Sequence, residues 1–253
     1  MLWAIDVGNT QTVVGLHDGS WRHVWRLDSH NYSTEDELAA VLKPLCDLAG
    51  TELGATGVVV ASVVPGLDRP LEAFSERWLA CKPVFLRTGE QVGLKVDYSP
   101  TNAVGSDRIA NALGALQKTK PPFIVVDFGT ATTFDTVDAS GTYVGGAIMP
   151  GPEVSASSLA SRTAKLPSIA LEAPGTAIGK SVVGSLQSGL VLGYADAVDG
   201  LVRRIRKELN GDVRVIATGG LGALYTDVCG EIEEYDPHLT LEGLRIAWER
   251  AGR

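Results

Sequence analysis

The chain has 253 residues, with 22 basic and 30 acidic side chains and a formal charge of -8. That length can bury a sizeable core, as one large α/β unit or as two half-size domains, while the acidic balance argues against the basic surface that non-specific nucleic-acid binding needs. No stretch approaches the roughly 20 apolar residues of a spanning helix, and Leu2 already opens an apolar run with no basic leader before it. A cytoplasmic protein with no nucleic-acid or membrane partner is therefore expected.

Residues 2–7, 12–17 and 21–27 read as three consecutive strands, joined by turns at Gly8-Asn9 and His17-Asp18-Gly19-Ser20. Ser33-Thr34-Glu35-Asp36-Glu37 is a helix start with an acidic first turn, followed by Leu38, Val41, Leu42, Leu45 and Leu48 at helical spacing up to Gly50. The run 57–64 is apolar throughout, as a strand covered on both faces would be, and Pro65-Gly66 stops it. A helix over 67–80 and a short strand at 83–86 complete a βββαβαβ unit. After a helix at 104–118, Thr119-Lys120-Pro121-Pro122 is the best hinge, because consecutive prolines block helix continuation.

The second half repeats the order. Strands are expected at 122–127, 132–138 and 142–148, then a long helix from about 179 to 208 with Val183, Leu186, Leu190, Tyr194, Val198, Leu201 and Ile205 on one face. A buried strand at 213–217, a turn at Thr218-Gly219-Gly220 and a closing helix at 241–250 follow. The reading is an α/β chain of two similar half-domains, 1–118 and 119–253, with a nucleotide in the cleft between them.

The duplication is visible in the residues themselves. Ile5-Asp6-Val7-Gly8-Asn9-Thr10-Gln11-Thr12-Val13 returns as Val126-Asp127-Phe128-Gly129-Thr130-Ala131-Thr132-Thr133-Phe134. Each copy places an Asp at the end of a β-branched run, a Gly two residues on, and threonines after it. A Gly directly after a strand lets the backbone fold back tightly, so that neighbouring amides and the Thr10 and Thr12 hydroxyls can face a phosphate. A carboxylate beside phosphates repels unless a divalent cation lies between them, which implies Mg²⁺ at Asp6. A single such turn is equally well read as a hairpin whose Asp satisfies backbone amides; its repetition favours the phosphate.

Asp107 of Gly105-Ser106-Asp107-Arg108 stands near the start of a helix, where the dipole favours a carboxylate. It is either a first-turn acidic residue paired with Arg108 or a general base that takes a hydroxyl proton during phosphoryl transfer. Gly145-Gly146 inside a strand calls for a bulge, a close ligand approach or close packing of the halves. Ala217-Thr218-Gly219-Gly220 offers bare backbone to an adenosine or phosphate. Gly175-Thr176-Ala177-Ile178-Gly179-Lys180-Ser181 is no P-loop, since its glycines are one residue too close. His17, His23, His30 and His238 show no ligand spacing, and Cys46, Cys81 and Cys229 read as inert thiols of a reducing interior.

With the two Asp-x-Gly turns, Ser62-Val63-Val64-Pro65, Gly105-Ser106-Asp107-Arg108, Gly145-Gly146-Ala147-Ile148-Met149-Pro150-Gly151 and Ala217-Thr218-Gly219-Gly220 in this order, the chain closely resembles type III pantothenate kinases from Ile5 to about Leu244. The resemblance implies the duplicated actin-like ATPase fold, related to ribonuclease H, and ATP-dependent phosphorylation of pantothenate at its primary hydroxyl, the first step toward coenzyme A. By matching positions, Asp6, Val7, Gly8, Asn9, Thr10, Gln11, Thr12 and Val13 would line the ATP phosphates, and Thr130 would touch ATP. Asp107 would accept the proton, while Tyr98, Gly105, Ser106, Asp107 and Arg108 would touch pantothenate. Asp127 would hold a monovalent cation, K⁺ or NH4⁺, and the enzyme would be a homodimer through the helix near 183–205.

One position departs from the pattern. Where the family usually carries a pantothenate-binding Thr, this chain has Val182 after Lys180-Ser181. Val182 keeps the branched shape and loses the hydrogen bond, so that contact is lost or moves to Ser181. A same-fold kinase for a different small acceptor and a catalytically silent ATP-binding regulator are the alternatives.

Overall fold

The computed structural model describes residues 1–251. In chain order, strands β1 (Leu2–Val7), β2 (Gln11–His17) and β3 (Trp21–Asp28) lead to helix α1 (Glu35–Leu48), β4 (Gly57–Ser62), α2 (Asp68–Trp78), β5 (Pro83–Leu86) and α3 (Ser106–Lys118). Then come β6 (Phe123–Phe128), β7 (Ala131–Val137), β8 (Tyr143–Pro150), α4 (Pro152–Ser161), α5 (Val182–Gln187) and α6 (Gly193–Leu209). The chain closes with β9 (Arg214–Thr218), α7 (Gly222–Val228), β10 (Glu234–Tyr235) and α8 (Leu239–Ala251). None of the described helices is long and apolar enough to cross a membrane.

Two compact units divide these elements: residues 1–114 with 239 onward, and 115–238. The first holds a five-stranded sheet in the order β3-β2-β1-β4-β5, antiparallel across β3, β2 and β1 and parallel from β1 to β5. Its central strands β1 and β4 are covered on both faces, which is why they read as continuous apolar runs. On one side Leu38, Leu42, Leu71 and Phe74 pack with Trp3, Ile5 and Val60. Helix α1 opens with a capping box, in which Thr34 Oγ1 accepts the Glu37 amide at 3.2 Å and the Glu37 carboxylate accepts the Thr34 amide at 3.1 Å.

The other side of this sheet is covered by α8, and here the structure departs from a division at 118/119. The Trp248 ring lies over Gly57, where a β-carbon would come within 2.6 Å of it, and Leu241 lies over Gly15. Helices α3 and α8 meet through glycines. A β-carbon on Gly243 would fall 1.8 Å from the Ala110 carbonyl oxygen, and one on Gly114 would fall 2.3 Å from that of Leu239. Thr240 Oγ1 donates to Asn111 Oδ1 at 2.7 Å in the same crossing. The closing helix thus belongs to the first sheet, because its apolar face finds its complement there rather than next to it in sequence.

The second unit repeats the sheet, in the order β10-β9-β6-β7-β8, with β6, β7 and β8 antiparallel and β9 and β10 parallel to β6. Helix α4 and the two-residue β10 go beyond the sequence reading, and α7 is the helix into which the strand end at Ala217-Thr218-Gly219-Gly220 runs. The long helix expected from 179 starts at Val182, with Ser181 as N-cap, and is interrupted by a π-helical turn at Ser188–Leu192. Gly184, Gly189 and Gly193 thin the local helix preference there. Gly145 and Gly146 adopt φ of 105° and 154° beside a register shift between β7 and β8, which is the bulge the sequence calls for.

Candidate active site

In the first unit, β1 runs out at Asp6-Val7, with Asp6 opposite Val13 of β2 and Ala61 of β4. The Gly8 amide donates to the Gln11 carbonyl at 3.0 Å and closes a short loop. Ser29 buttresses that loop from below: its amide donates to the Thr10 carbonyl at 2.9 Å and its hydroxyl to the Gly8 carbonyl at 2.8 Å. Asn9, Thr10 and Gln11 are exposed, whereas Val7 and Thr12 are buried. Thr12 Oγ1 lies 2.9 Å from Ser29 Oγ and hydrogen-bonds Tyr32 Oη. The Thr12 hydroxyl and the Val7 side chain face the core, which leaves their backbone groups for the expected phosphate contacts.

The second unit builds the same turn one residue shorter. Asp127, next to last in β6, lies opposite Thr133 of β7 and Thr218 of β9, and the Gly129 amide donates to the Ala131 carbonyl at 3.1 Å. Thr132, the counterpart of Thr12, is fully buried with its hydroxyl 2.8 Å from that of Tyr194, which donates to the Pro150 carbonyl at 2.8 Å. Threonines that look like a phosphate signature thus also have a structural tie: in both units the second residue of the strand after the loop is hydrogen-bonded to a tyrosine. Neither Tyr32 nor Tyr194 has a local sequence signal, since each arrives from a distant element.

Two glycines shape the floor around Asp127. Gly151 donates to the Thr130 carbonyl at 3.0 Å, and a β-carbon there would come 2.3 Å from the Gly129 oxygen. Gly219, at φ +88°, would place a β-carbon 2.5 Å from Asp127 Oδ1 and 2.6 Å from the Phe128 carbonyl oxygen. A side chain would fill an oxygen-lined hollow at that point, and carboxylate and carbonyl oxygens are the donors a hard monovalent cation takes. Asp6 is a single carboxylate beside a bare loop, which fits Mg²⁺, an ion held by one or two protein carboxylates and completed by phosphate oxygens and water. Among the described residues no cluster of three or more metal-ligating side chains occurs.

Asp107 occupies the first turn of α3. Its Oδ1 accepts the Arg108 amide at 2.8 Å. Burial pushes its pKa above the ordinary carboxylate value, against the smaller opposing pulls of the Arg108 amide and guanidinium. A β-carbon on Gly105 would lie 2.4 Å from Oδ1, so a bare α-carbon there is what admits the carboxylate. Ser106 and Arg108 are buried and Tyr98 is 37% exposed. The Ser106 hydroxyl is engaged with the Ser62 backbone, at 3.0 Å from the amide and 3.3 Å from the carbonyl oxygen. Val182 opens α5 in the second unit and is 52% exposed, while Ser181 Oγ accepts the Gly184 amide at 3.0 Å.

Two five-stranded sheets of matching topology, each ending its first strand in an Asp-x-Gly turn, define an actin-like ATPase fold. MreB 5 of Spiroplasma citri, solved bound to AMPPNP, superposes with a TM-score of 0.55 at 12% identity, covering 97% of this chain and 95% of that one. The chain belongs to the type III pantothenate kinase family, whose model matches residues 2–204, and it is thus a kinase that uses ATP to phosphorylate pantothenate in coenzyme A biosynthesis. The type III pantothenate kinase of Anaeromyxobacter sp. (strain Fw109-5) is 45% identical over 252 residues, covering 99% of each chain. That of Thermomicrobium roseum is 45% identical over 255 residues, covering 100% of this chain and 98% of its own.

Proposed function

We propose that phosphoryl transfer is run by three carboxylates with separate tasks. Asp107 accepts the proton of the pantothenate primary hydroxyl as that oxygen attacks the γ-phosphorus of ATP and ADP departs. The seating of its carboxylate at the start of α3, against bare Gly105 and the Arg108 amide, carries this reading, and burial raises its pKa in the direction a base needs. With Oδ1 engaged by the Arg108 amide, Oδ2 receives the proton. The exposed loop Gly8 to Gln11 and its amides receive the phosphates, and Thr130 touches ATP. Mg²⁺ at Asp6 and K⁺ or NH4⁺ at Asp127 would offset phosphate charge when bound.

Tyr98, Gly105 and Arg108 form the pantothenate side of this reading, Arg108 through its charge and Gly105 through its backbone. Val182 cannot donate a hydrogen bond, and Ser181 next to it keeps its O–H available while its oxygen caps α5. Acceptor binding through Ser181 is the consequence, within a cytoplasmic homodimer. The test is ADP release measured with and without pantothenate, in K⁺ and again in Na⁺. Dependence on both pantothenate and K⁺ is expected. Turnover indifferent to K⁺ removes the role of Asp127, and turnover with an acceptor panel but not with pantothenate removes the reading of the acceptor site.

A further inference from the structure

We propose that Ser106 is a positioning residue for the proton-accepting carboxylate, its hydroxyl acting as a two-way latch that ties the start of α3 to the end of β4. The proposal rests on Asp107 being the base. The Ser62 amide donates to Ser106 Oγ at 3.0 Å, and that hydroxyl donates to the Ser62 carbonyl at 3.3 Å. One proton and one lone pair of the hydroxyl are thereby engaged with the last residue of a central strand. Ser62 stands beside Val7 in the parallel β1–β4 register, and the next amide, Val63, donates to the Val7 carbonyl at 3.0 Å. A continuous line of backbone therefore runs from Asp6-Val7 through Ser62-Val63 to Ser106-Asp107, all within the first unit.

This line matters because the carboxylate sits only one residue beyond the latch. Gly105 supplies the space on one side, with Val63 Cγ1 also within 3.6 Å of where its β-carbon would be, and the Arg108 amide holds Oδ1 on the other. Alanine at 106 keeps the volume but makes neither bond, and leaves the Ser62 amide and carbonyl without partners at a half-buried strand end. The first turn of α3 is then free to shift, and a displacement of about 1 Å in a reacting group costs on the order of a hundredfold in rate.

The test is Ser106→Ala in the full chain, read in two ways. Pantothenate-dependent ADP release should fall about ten- to a hundredfold in kcat, while the KM for ATP stays within about twofold, because the loss falls on transition-state alignment rather than on nucleotide binding. In protein labelled with 13C-carboxyl aspartate, the Asp107 line, identified by its absence in Asp107→Asn, should titrate at lower pH in Ser106→Ala, as a loosened carboxylate gains water. Arg108 is the neighbouring charge common to both proteins, so it cancels in the comparison. Unchanged kcat with an unmoved line overturns the proposal. So does a kcat that falls only with the folded fraction while the line stays put, since that is what a merely structural serine would produce. Should the parent release no ADP on adding pantothenate, the kinase reading of this site fails, and the Asp107 line still decides whether the latch acts.

Discussion

Asp107 carries a stability cost that the proposed base role would bring with it. Its folded pKa is raised by burial, so the native state keeps the proton to higher pH than the unfolded chain does. Stability contributed by this group is present below the unfolded value and declines as pH rises through the folded one; above that it is a constant cost. Asp107→Asn should therefore melt at a higher temperature than the parent at about pH 8, with the gap closing below about pH 3, where both side chains are neutral. The same substitution should lower kcat by about a hundredfold or more while ATP binding persists, because positioned base catalysis is worth that much. Calorimetric scans across pH and ATP titrations check both halves, and a variant of parental turnover removes Asp107 as base.

A second residue makes the opposite case. Thr12 belongs to the run that sequence assigns to phosphates, yet its hydroxyl is buried against Ser29 and Tyr32. Thr12→Val keeps the shape and removes the hydrogen bonds to Ser29 and Tyr32, so a loss of about 0.5–1.5 kcal/mol for each is expected. Chemical denaturation measures it, and the KM for ATP should move little if the hydroxyl is structural.

At the scale of elements, the strands and the Asp-x-Gly turns were legible in sequence because each is a local pattern. Apolar runs at β1, β4 and β6 announce strands buried on both faces, and a Gly closing each hairpin announces the loop. The π-helical turn between α5 and α6 was not legible, since Val183, Leu186, Leu190 and Tyr194 fit an uninterrupted helix. The crossing of α3 and α8 was equally hidden. Gly243→Ala would drive a β-carbon into the Ala110 carbonyl oxygen, a backbone atom with no rotamer to yield. A loss of about 3 kcal/mol or more is expected from forcing these helices apart, visible as a lowered denaturation midpoint and, through α3, as reduced turnover.

Over the whole molecule, the last helix decides how the first unit is completed. Ending the chain at His238 would uncover the faces of Gly15 and Gly57 that Leu241 and Trp248 now close. Amide exchange should then show protection lost across β1, β2 and β4 and retained in β6, β7 and β9, because only the first sheet loses its cover. Equal loss in both sheets would mean that the two units do not hold their structure independently.

The duplication, the βββαβαβ order of the first half and the choice of Asp6, Asp107 and Asp127 as candidates were all readable along the chain, because periodicity, turn chemistry and motif order are written in neighbouring residues. Folding added the rest: α8 returns to the first sheet, Thr12 and Thr132 face inward to tyrosines, and the Ser106 hydroxyl hydrogen-bonds the strand end at Ser62. Those outcomes depend on which distant surfaces match in shape and which buried polar groups find partners, and neither property belongs to any one stretch of chain.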